Sequence, residues 1–398
     1  MFDILSSQQP IERSFLRVPS ISGIICGFWP QQQRSWWTVL RFMVNSFAVA
    51  VGTFGEIFYG FVYLADLSAA LEAFCPGITK LISLIKMSLF FVNYKEWHHI
   101  VTQLHDMLIT GRSRSNEGVL QMINKKNIFL VFFSATFSFV LDISTNAFFN
   151  LRPLIFIAYN VSHGHEVVNL LPFNVVIPEV FQNYPLYPLT YCILTLSGAM
   201  TVFTFSAVDG FFVCFCMYAC GLFHMLQHDI RQVFLELQWS DVAQNLKFRR
   251  NLANIVERHN SIIDLCSKFT SKFQLIVLMH FLSAAVVLCF SILDMMLMFP
   301  SIGVFIYIFY SSAALTQLIL YCIGGNYVSE SSIKIAAVLY DIEWYKCDVE
   351  TRKMILMMLR RSQKAQTIAV PFFTPSLVAF SSIISTAGSY ITLMKTFL

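Results

Sequence analysis

Seven long apolar runs, separated by polar stretches of very unequal length, organise this chain of 398 residues. They fall at about 37–58, 67–92, 127–149, 189–212, 274–297, 302–324 and 374–394. Each approaches the roughly 20 residues that an α-helix needs to cross a hydrocarbon core of about 30 Å. The pattern predicts an all-α polytopic membrane protein with seven transmembrane helices, since lipid tolerates only spans whose backbone groups are all paired. The first and fifth connections are only a few residues long. Residues 213–273 and 325–373 are too long for turns. Ile255, Ile262, Phe269 and Phe273 recur there at helical spacing with Arg250, Glu257 and Lys268 on other faces, and Met354, Ile355, Met358 and Leu359 repeat the pattern. Both stretches are expected to be spans prolonged into the cytosol as a helical anchor block. Ser240 and Asp241 are the expected break and N-cap between two such helices. The third connection, 150–188, is rich in Pro and aromatics (Leu171-Pro172-Phe173, Pro178, Pro185, Pro188) and is expected to cover the outer face.

Charge adds an orientation. Of the 27 Lys and Arg residues, three lie in 1–36, five in the second connection, seven in the fourth and seven in the sixth. The odd-numbered connections and the tail hold only Arg152 and Lys395, and Arg41, Lys80 and Lys86 sit inside spans. Cations near span ends stay on the cytoplasmic side during insertion. The N-terminus is therefore expected inside and the C-terminus outside, the reverse of a G-protein-coupled receptor. The chain then divides into a cytosolic segment 1–36, spans one to four over 37–212, anchor helices at 213–273, spans five and six over 274–324, anchor helices at 325–373 and a seventh span over 374–398. The seventh span ends so near Leu398 that no cytosolic tail is expected.

Composition agrees with a membrane protein: 56% of residues are hydrophobic and 13% charged. A net charge of +4 spread over inner loops makes nucleic-acid binding a poor reading. The stretch Ile21–Trp29 has neither a basic flank before it nor a small-residue cleavage site after it, so the first span is expected to be its own signal anchor. Ten cysteines make no disulfide framework; Cys214, Cys216 and Cys220 cluster where the fourth span meets a reducing compartment and read as small packing residues. Asn160-Val161-Ser162 is the one Asn-x-Ser/Thr sequon and lies in the third connection, where Asn160 could carry a glycan.

Candidate chemistry concentrates in two places. Ser385, Ser389 and Thr392, with Thr396, are spaced four, three and four apart and share one face of the last span. Such a stripe either lines a water-filled pore or lets helices approach closely, and hydroxyls that satisfy themselves on their own backbone favour packing. The second place is aromatic. Phe137, Asp142, Thr145, Phe148 and Phe149 lie in the outer half of the third span, and Tyr191, Thr195 and Gly198 near the outer end of the fourth. Phe305, Tyr307, Phe309 and Tyr310 open the sixth, and Phe74 lies in the second. A cavity among them would be apolar with a few hydroxyls, suited to a small neutral ligand. The competing account is Phe facing lipid or filling a core. Glu72, Lys80, Lys86, Asp142, Asp209 and Asp294 are charges within spans and need partners or water. Glu72 and Asp142 are expected to pair with a cation or face a wet cavity, Asp294 to be solvated, and Lys86 to snorkel inward. His163-Gly164-His165 and His224/His228 lack further metal ligands. No HExxH, phosphate loop or nucleophile elbow is present, so neither an enzyme nor a cofactor is indicated.

From the sixth span onward the chain resembles the insect odorant receptor family. The resemblance rests on Tyr321-Cys322-Ile323-Gly324-Gly325-Asn326, Ser331/Ser332, Tyr340, Trp344-Tyr345, Leu359-Arg360-Arg361-Ser362-Gln363, Phe373, Ser376-Leu377, Phe380 and Ser389-Tyr390. Arg258-His259 with Ile262/Ile263, and Leu171-Pro172-Phe173, also fit. The related gustatory receptors end in a Thr-Tyr…Gln-Phe motif; here the stretch Ser389 to Phe397 lacks the glutamine, which favours the odorant branch. The fourth connection is shorter than that of the shared co-receptor, as in a ligand-tuning subunit, and the general likeness is to dipteran, mosquito-like members. The resemblance implies a ligand-gated, non-selective cation channel in the plasma membrane of a sensory neuron, built as a heterotetramer with co-receptor subunits. It implies a pore lined by the last span, with Leu393 as the gate and Thr396 where the co-receptor carries glutamine, and an odour cavity among spans two, three, four and six. The alternatives are a metabotropic seven-helix receptor, a gustatory-type channel, a transporter, or a partner that only traffics the co-receptor.

Overall fold

Helix ends fall where capping chemistry permits. The computed structural model describes residues 16–112, 117–163, 169–235, 242–298, 303–371 and 373–395, with side chains left undescribed at 111–135, 236–245, 387, 390, 391 and 393–395. Among the described residues there are ten α-helices: α1 Arg17–Cys26, α2 Trp36–Val62, α3 Leu67–Val92, α4 Tyr94–Arg112, α5 Glu117–Ser162, α6 Tyr187–Leu235, α7 Val242–Met298, α8 Val304–Asp341, α9 Val349–Ser362 and α10 Leu377–Lys395. Gly27, with φ of 89°, closes α1 in the left-handed conformation. Asp66 caps α3 by accepting from the Ala69 amide at 3.2 Å, and Asp348 caps α9 by accepting from the Glu350 amide at 3.2 Å.

Five of the seven expected spans lie within α2, α3, α5, α6 and α7, and nearly all of the sixth and seventh within α8 and α10. Among the described residues five helices are long and apolar enough to cross a membrane by length and composition: α2, α3, α6, α7 (from Leu246) and α8. Their lengths also account for the expected anchor block. At 1.5 Å per residue α6 is about 74 Å long and α7 about 86 Å, more than twice a hydrocarbon core. The surplus of both packs with α4, α8 and α9 around one core of large rings. Phe215 stacks on Phe269 at 3.6 Å between centroids, Phe90 stacks on Trp97 at 4.7 Å, and Phe211 meets Trp97 edge-on at 5.9 Å. Ion pairs rim this block: Arg258 with Asp229, Lys272 with Glu96, and Arg249 with both Asp348 and Glu350 at 2.5 Å.

Helix α6 is the central element, and the buried Cys214, Cys216 and Cys220 are part of its packing. The outer face of α2 is the opposite case. Phe47, Phe54, Phe58 and Phe61 are exposed at helical spacing, with Trp36 and Trp37 exposed at its start. This is the pattern of a helix turned to lipid with aromatics at one interface. The break between α6 and α7 falls between Leu235 and Val242, while Ser240 and Asp241 lie outside the described residues. Helix α5 continues past Pro153 to Ser162, so the connection expected at 150–188 is helical at its start, and the described residues 163 and 169–186 are non-helical apart from a 3-10 turn at Glu179–Phe181. Asn160 therefore sits in the last turn of α5 and is 9% exposed. A glycan there requires that turn to open.

Candidate functional site

Five helices and one loop residue enclose a cavity of about 100 Å³. Pro76, Thr79 and Lys80 face it from α3, Asp142, Thr145, Asn146 and Phe149 from α5, and Gly198, Thr201, Val202 and Phe205 from α6. His280, Ser283, Ala284 and Val287 complete it from α7, and Tyr310, Ala313, Ala314 and Gln317 from α8. Phe173 of the 163–186 connection forms one wall. It stacks on Phe149 with centroids 5.3 Å apart and belongs to a small core with Val175, Leu194 and Ile306. The connection is stitched down rather than draped. The Val176 amide donates to Gly55 O at 3.3 Å, and the Asn174 amide group donates to Glu72, which is also paired with Arg152.

Polar groups in the spans solve their desolvation by meeting each other. Lys80 and Glu56 form an ion pair in which the side chains are 2% and 0% exposed. The Lys80 ammonium also lies 3.3 Å from the centroid of the Phe173 ring, a cation–π contact that ties the loop to α3. Lys86 Nζ donates to Asp209 Oδ1 at 2.6 Å, and the Tyr321 hydroxyl donates to the same oxygen at 2.6 Å. The snorkelling expected of Lys86 does not occur, because α3 packs on α6 and α7 and leaves the ammonium 1% exposed with an acid beside it. Asp294, expected to be solvated, is fully buried and accepts from the Ser68 hydroxyl at 3.0 Å. The Gln317 amide donates to both oxygens of Asp142, at 3.0 and 3.1 Å, and so holds the carboxylate against the wall.

Of the residues expected to bind ligand, Asp142, Thr145, Phe149, Gly198 and Tyr310 are brought together on the cavity wall. Gly198 allows a close approach there: a Cβ would collide with the side-chain Oδ1 of Asn146, which would have to swing aside, and would come within 3.2 Å of Phe173. Tyr191 and Thr195 lie behind the wall, donating to Asn150 O at 2.5 Å and to Asn150 Oδ1 at 2.9 Å, which fastens α6 to α5. Phe74 packs edge-on to Phe61 at 5.3 Å, and Phe148 packs against Phe309 at 5.3 Å, both away from the cavity. Phe137 and Phe305 are 48% and 59% exposed on the outer surface of the helices. The sequence reading did not single out Lys80, Asn146, Thr201, His280 and Gln317 as wall residues. Their common signal, a polar side chain inside an apolar span, was available for each.

On α10, Ser385, Ser389 and Thr392 are exposed in the single chain. Their helix satisfies the hydroxyls internally: Ser389 donates to Ser385 O at 3.0 Å and Thr392 to Ser389 O at 2.8 Å. The Leu393 side chain and Thr396 lie outside the described residues. A second hollow, of about 640 Å³, lies between α4, α6 and α7 and is lined by charges of both signs, including Asp106, Glu257, Arg258 and Lys268. It lacks the apolar character of the first.

A family model described as 7tm Odorant receptor matches residues 66–388. Odorant receptor 22c of Drosophila melanogaster is 49% identical over 99% of both chains. The chain belongs to the insect odorant receptor family. Odorant receptors 24a and 10a of the same fly are 30% and 31% identical, each covering 98–99% of both chains. The receptor also shares its fold with the insect olfactory receptor OR5 of Machilis hrabei, solved in complex with eugenol: the TM-score is 0.82 with all of both chains covered, at 15% identity. The same protein's structure described without a ligand gives a TM-score of 0.80 at 15% identity, over 98% of this chain and 99% of that one. The relatives are receptors rather than enzymes, in line with the sequence reading.

Proposed function

We propose that the receptor binds small neutral volatile odorants in the cavity walled by Phe149, Phe173 and Tyr310 and gates a non-selective cation channel together with co-receptor subunits. The observation that carries this reading is the cavity itself, apolar over most of its surface and roofed by a loop ring that a lysine holds in place. Neutral ligands suit it because its polar groups are already engaged: Lys80 is paired with Glu56, and the Asp142 oxygens accept from the Gln317 amide. Family membership supports a sensory role, and the eugenol complex of the Machilis receptor supports a ligand of this size class.

Gating follows from differential binding. A ligand that fits one arrangement of α3, α5, α6, α7 and α8 better than another shifts the population toward it. Helix α10 packs on α7 and α8, so their movement reaches the exposed stripe of Ser385, Ser389 and Thr392 that is read as the pore face. Relief of dewetting at Leu393 then admits cations, with Thr396 three positions on. In this reading the N-terminus lies inside, the C-terminus outside, and the assembly is a heterotetramer in the plasma membrane. The test is electrophysiological. Cells carrying the receptor with a co-receptor are expected to give odorant-evoked cation currents to members of a broad volatile panel. Silence across that panel, with both subunits at the cell surface, sinks the reading.

A further inference from the structure

His280 is the polar group on the cavity wall that the proposed function leaves without a task. It lies on α7 and is 2% exposed, and its ring stacks on Tyr321 at 4.7 Å between centroids. Lys86 Nζ lies 3.4 Å from His280 Nδ1. An ammonium has protons to give and no lone pair, so Nδ1 must accept and the proton of the neutral ring resides on Nε2. A second proton on Nδ1 would face the ammonium directly. Among the described residues Nε2 has no hydrogen-bond partner. The ring therefore carries a buried N–H donor without a partner among the described residues, in a side chain that lines the cavity.

The neighbouring hydroxyls differ. Thr145 donates to Leu141 O, Thr201 to Ser197 O and Ser283 to His280 O, each at 2.9 Å. Thr79 and Tyr310 spend their protons on Cys75 O and on each other. These oxygens already hold one bond, and a spare lone pair costs little. A buried donor with no acceptor retains its full desolvation cost until something relieves it.

We infer that His280 Nε2–H is a specificity determinant of this receptor, selecting odorants that carry a hydrogen-bond acceptor, such as ketones, aldehydes and esters, over hydrocarbons of the same shape. This rests on reading the cavity as the odorant chamber. The ligand oxygen takes the donor, and its apolar body lies against Val202, Phe205, Ala284 and Val287 on the same wall.

The test uses pairs in which C=O is replaced by C=CH2 with little change of shape: cyclohexanone and methylenecyclohexane, benzaldehyde and styrene, 2-heptanone and 2-methyl-1-heptene. Concentration–response curves are recorded from the receptor with its co-receptor. The oxygenated member of an active pair is expected to be about two- to tenfold more potent, the range of one net hydrogen bond. His280→Phe is expected to abolish the preference, bringing the carbonyl compound and its alkene to equal potency whatever the absolute potency of the variant. His280→Gln, which keeps an amide donor in reach, is expected to preserve the preference. Surface labelling monitors the variants. If His280→Phe fails to reach the surface, the wild-type ratio decides alone. Equal potency within pairs overturns the inference, as does a His280→Phe variant that keeps the preference or weakens both members equally. Currents to other volatiles but to neither member of any pair overturn it and leave the odorant chamber standing. Silence to every volatile removes the chamber reading itself.

Discussion

Replacing Lys86 by Met should cost far more than losing a surface charge. The ammonium is 1% exposed and meets Asp209 Oδ1 at 2.6 Å, His280 Nδ1 at 3.4 Å and the Phe205 ring at 3.9 Å from its centroid. Methionine fills much of the same volume, so the loss is electrostatic rather than a cavity. It leaves the Asp209 carboxylate with the Tyr321 hydroxyl on one oxygen and nothing on the other. Removing one partner of a buried ion pair typically costs about 3–5 kcal/mol, because the remaining charge is stranded. Against a typical net stability of about 5–15 kcal/mol, that is a third or more of the total in many cases. Removing the second charge as well, in Lys86→Met/Asp209→Asn, should return most of the loss, since a neutral pair of similar volume is often no worse than the ion pair. The assay is thermal unfolding of purified receptor in detergent for the wild type, both single variants and the double, read as a double-mutant cycle alongside surface abundance. A Lys86→Met variant as stable as wild type, or a double variant no better than the single, refutes the reasoning.

Three further outcomes follow from the geometry. Tyr310→Ala removes a cavity ring and two hydroxyl contacts, and potency for an active odorant should fall about two- to twelvefold, the value of a lost ring contact, whereas Phe148→Ala, which only unpacks Phe309 away from the cavity, should leave concentration–response curves unchanged. The Thr351 hydroxyl, then Arg249, hold the Asp348 carboxyl below its ordinary range, so the stabilisation it gives α9 is complete above about pH 4 and is lost as pH falls through the depressed value; amide exchange in α9 should be flat from pH 7 to pH 5 after correction for intrinsic rates and rise below, and Arg249→Ala should shrink that rise by less than about 1 kcal/mol because the pair is half-exposed. An epitope placed after Leu398 should be reached by antibody on intact cells while one before Met1 should not, and the opposite result removes the proposed orientation and favours a metabotropic receptor.

The parts of this receptor that a reader of the sequence could place are those governed by one helix at a time. Apolar runs of about 20 residues marked the expected spans, and the 3.6-residue period beyond 213 and 325 marked further helix, which α6, α7, α8 and α9 supply. The cavity was only half legible because it depends on which faces of five helices meet. Phe148 and Phe149 are neighbours in sequence, yet one packs outward against Phe309 and the other stacks on Phe173 inside. Glu56 went unremarked although it lies within the first span, because its partner Lys80 belongs to the next helix and their pairing is set by register between α2 and α3. A rule nonetheless emerges from the polar residues. Asp142, Gln317, Lys80 and His280 line the cavity; Glu56 bonds Lys80, Lys86 bonds His280, and Asp209 bonds Lys86. None of these side chains can be left to face lipid at acceptable cost, so each must turn inward, and seven inward-turning groups must converge on whatever interior the helices share. Aromatic side chains carry no such obligation. In this chain seven in-span polar residues mark the cavity that the far more numerous rings leave ambiguous, while Glu72 and Asp294 find their partners elsewhere, in Arg152 and Ser68.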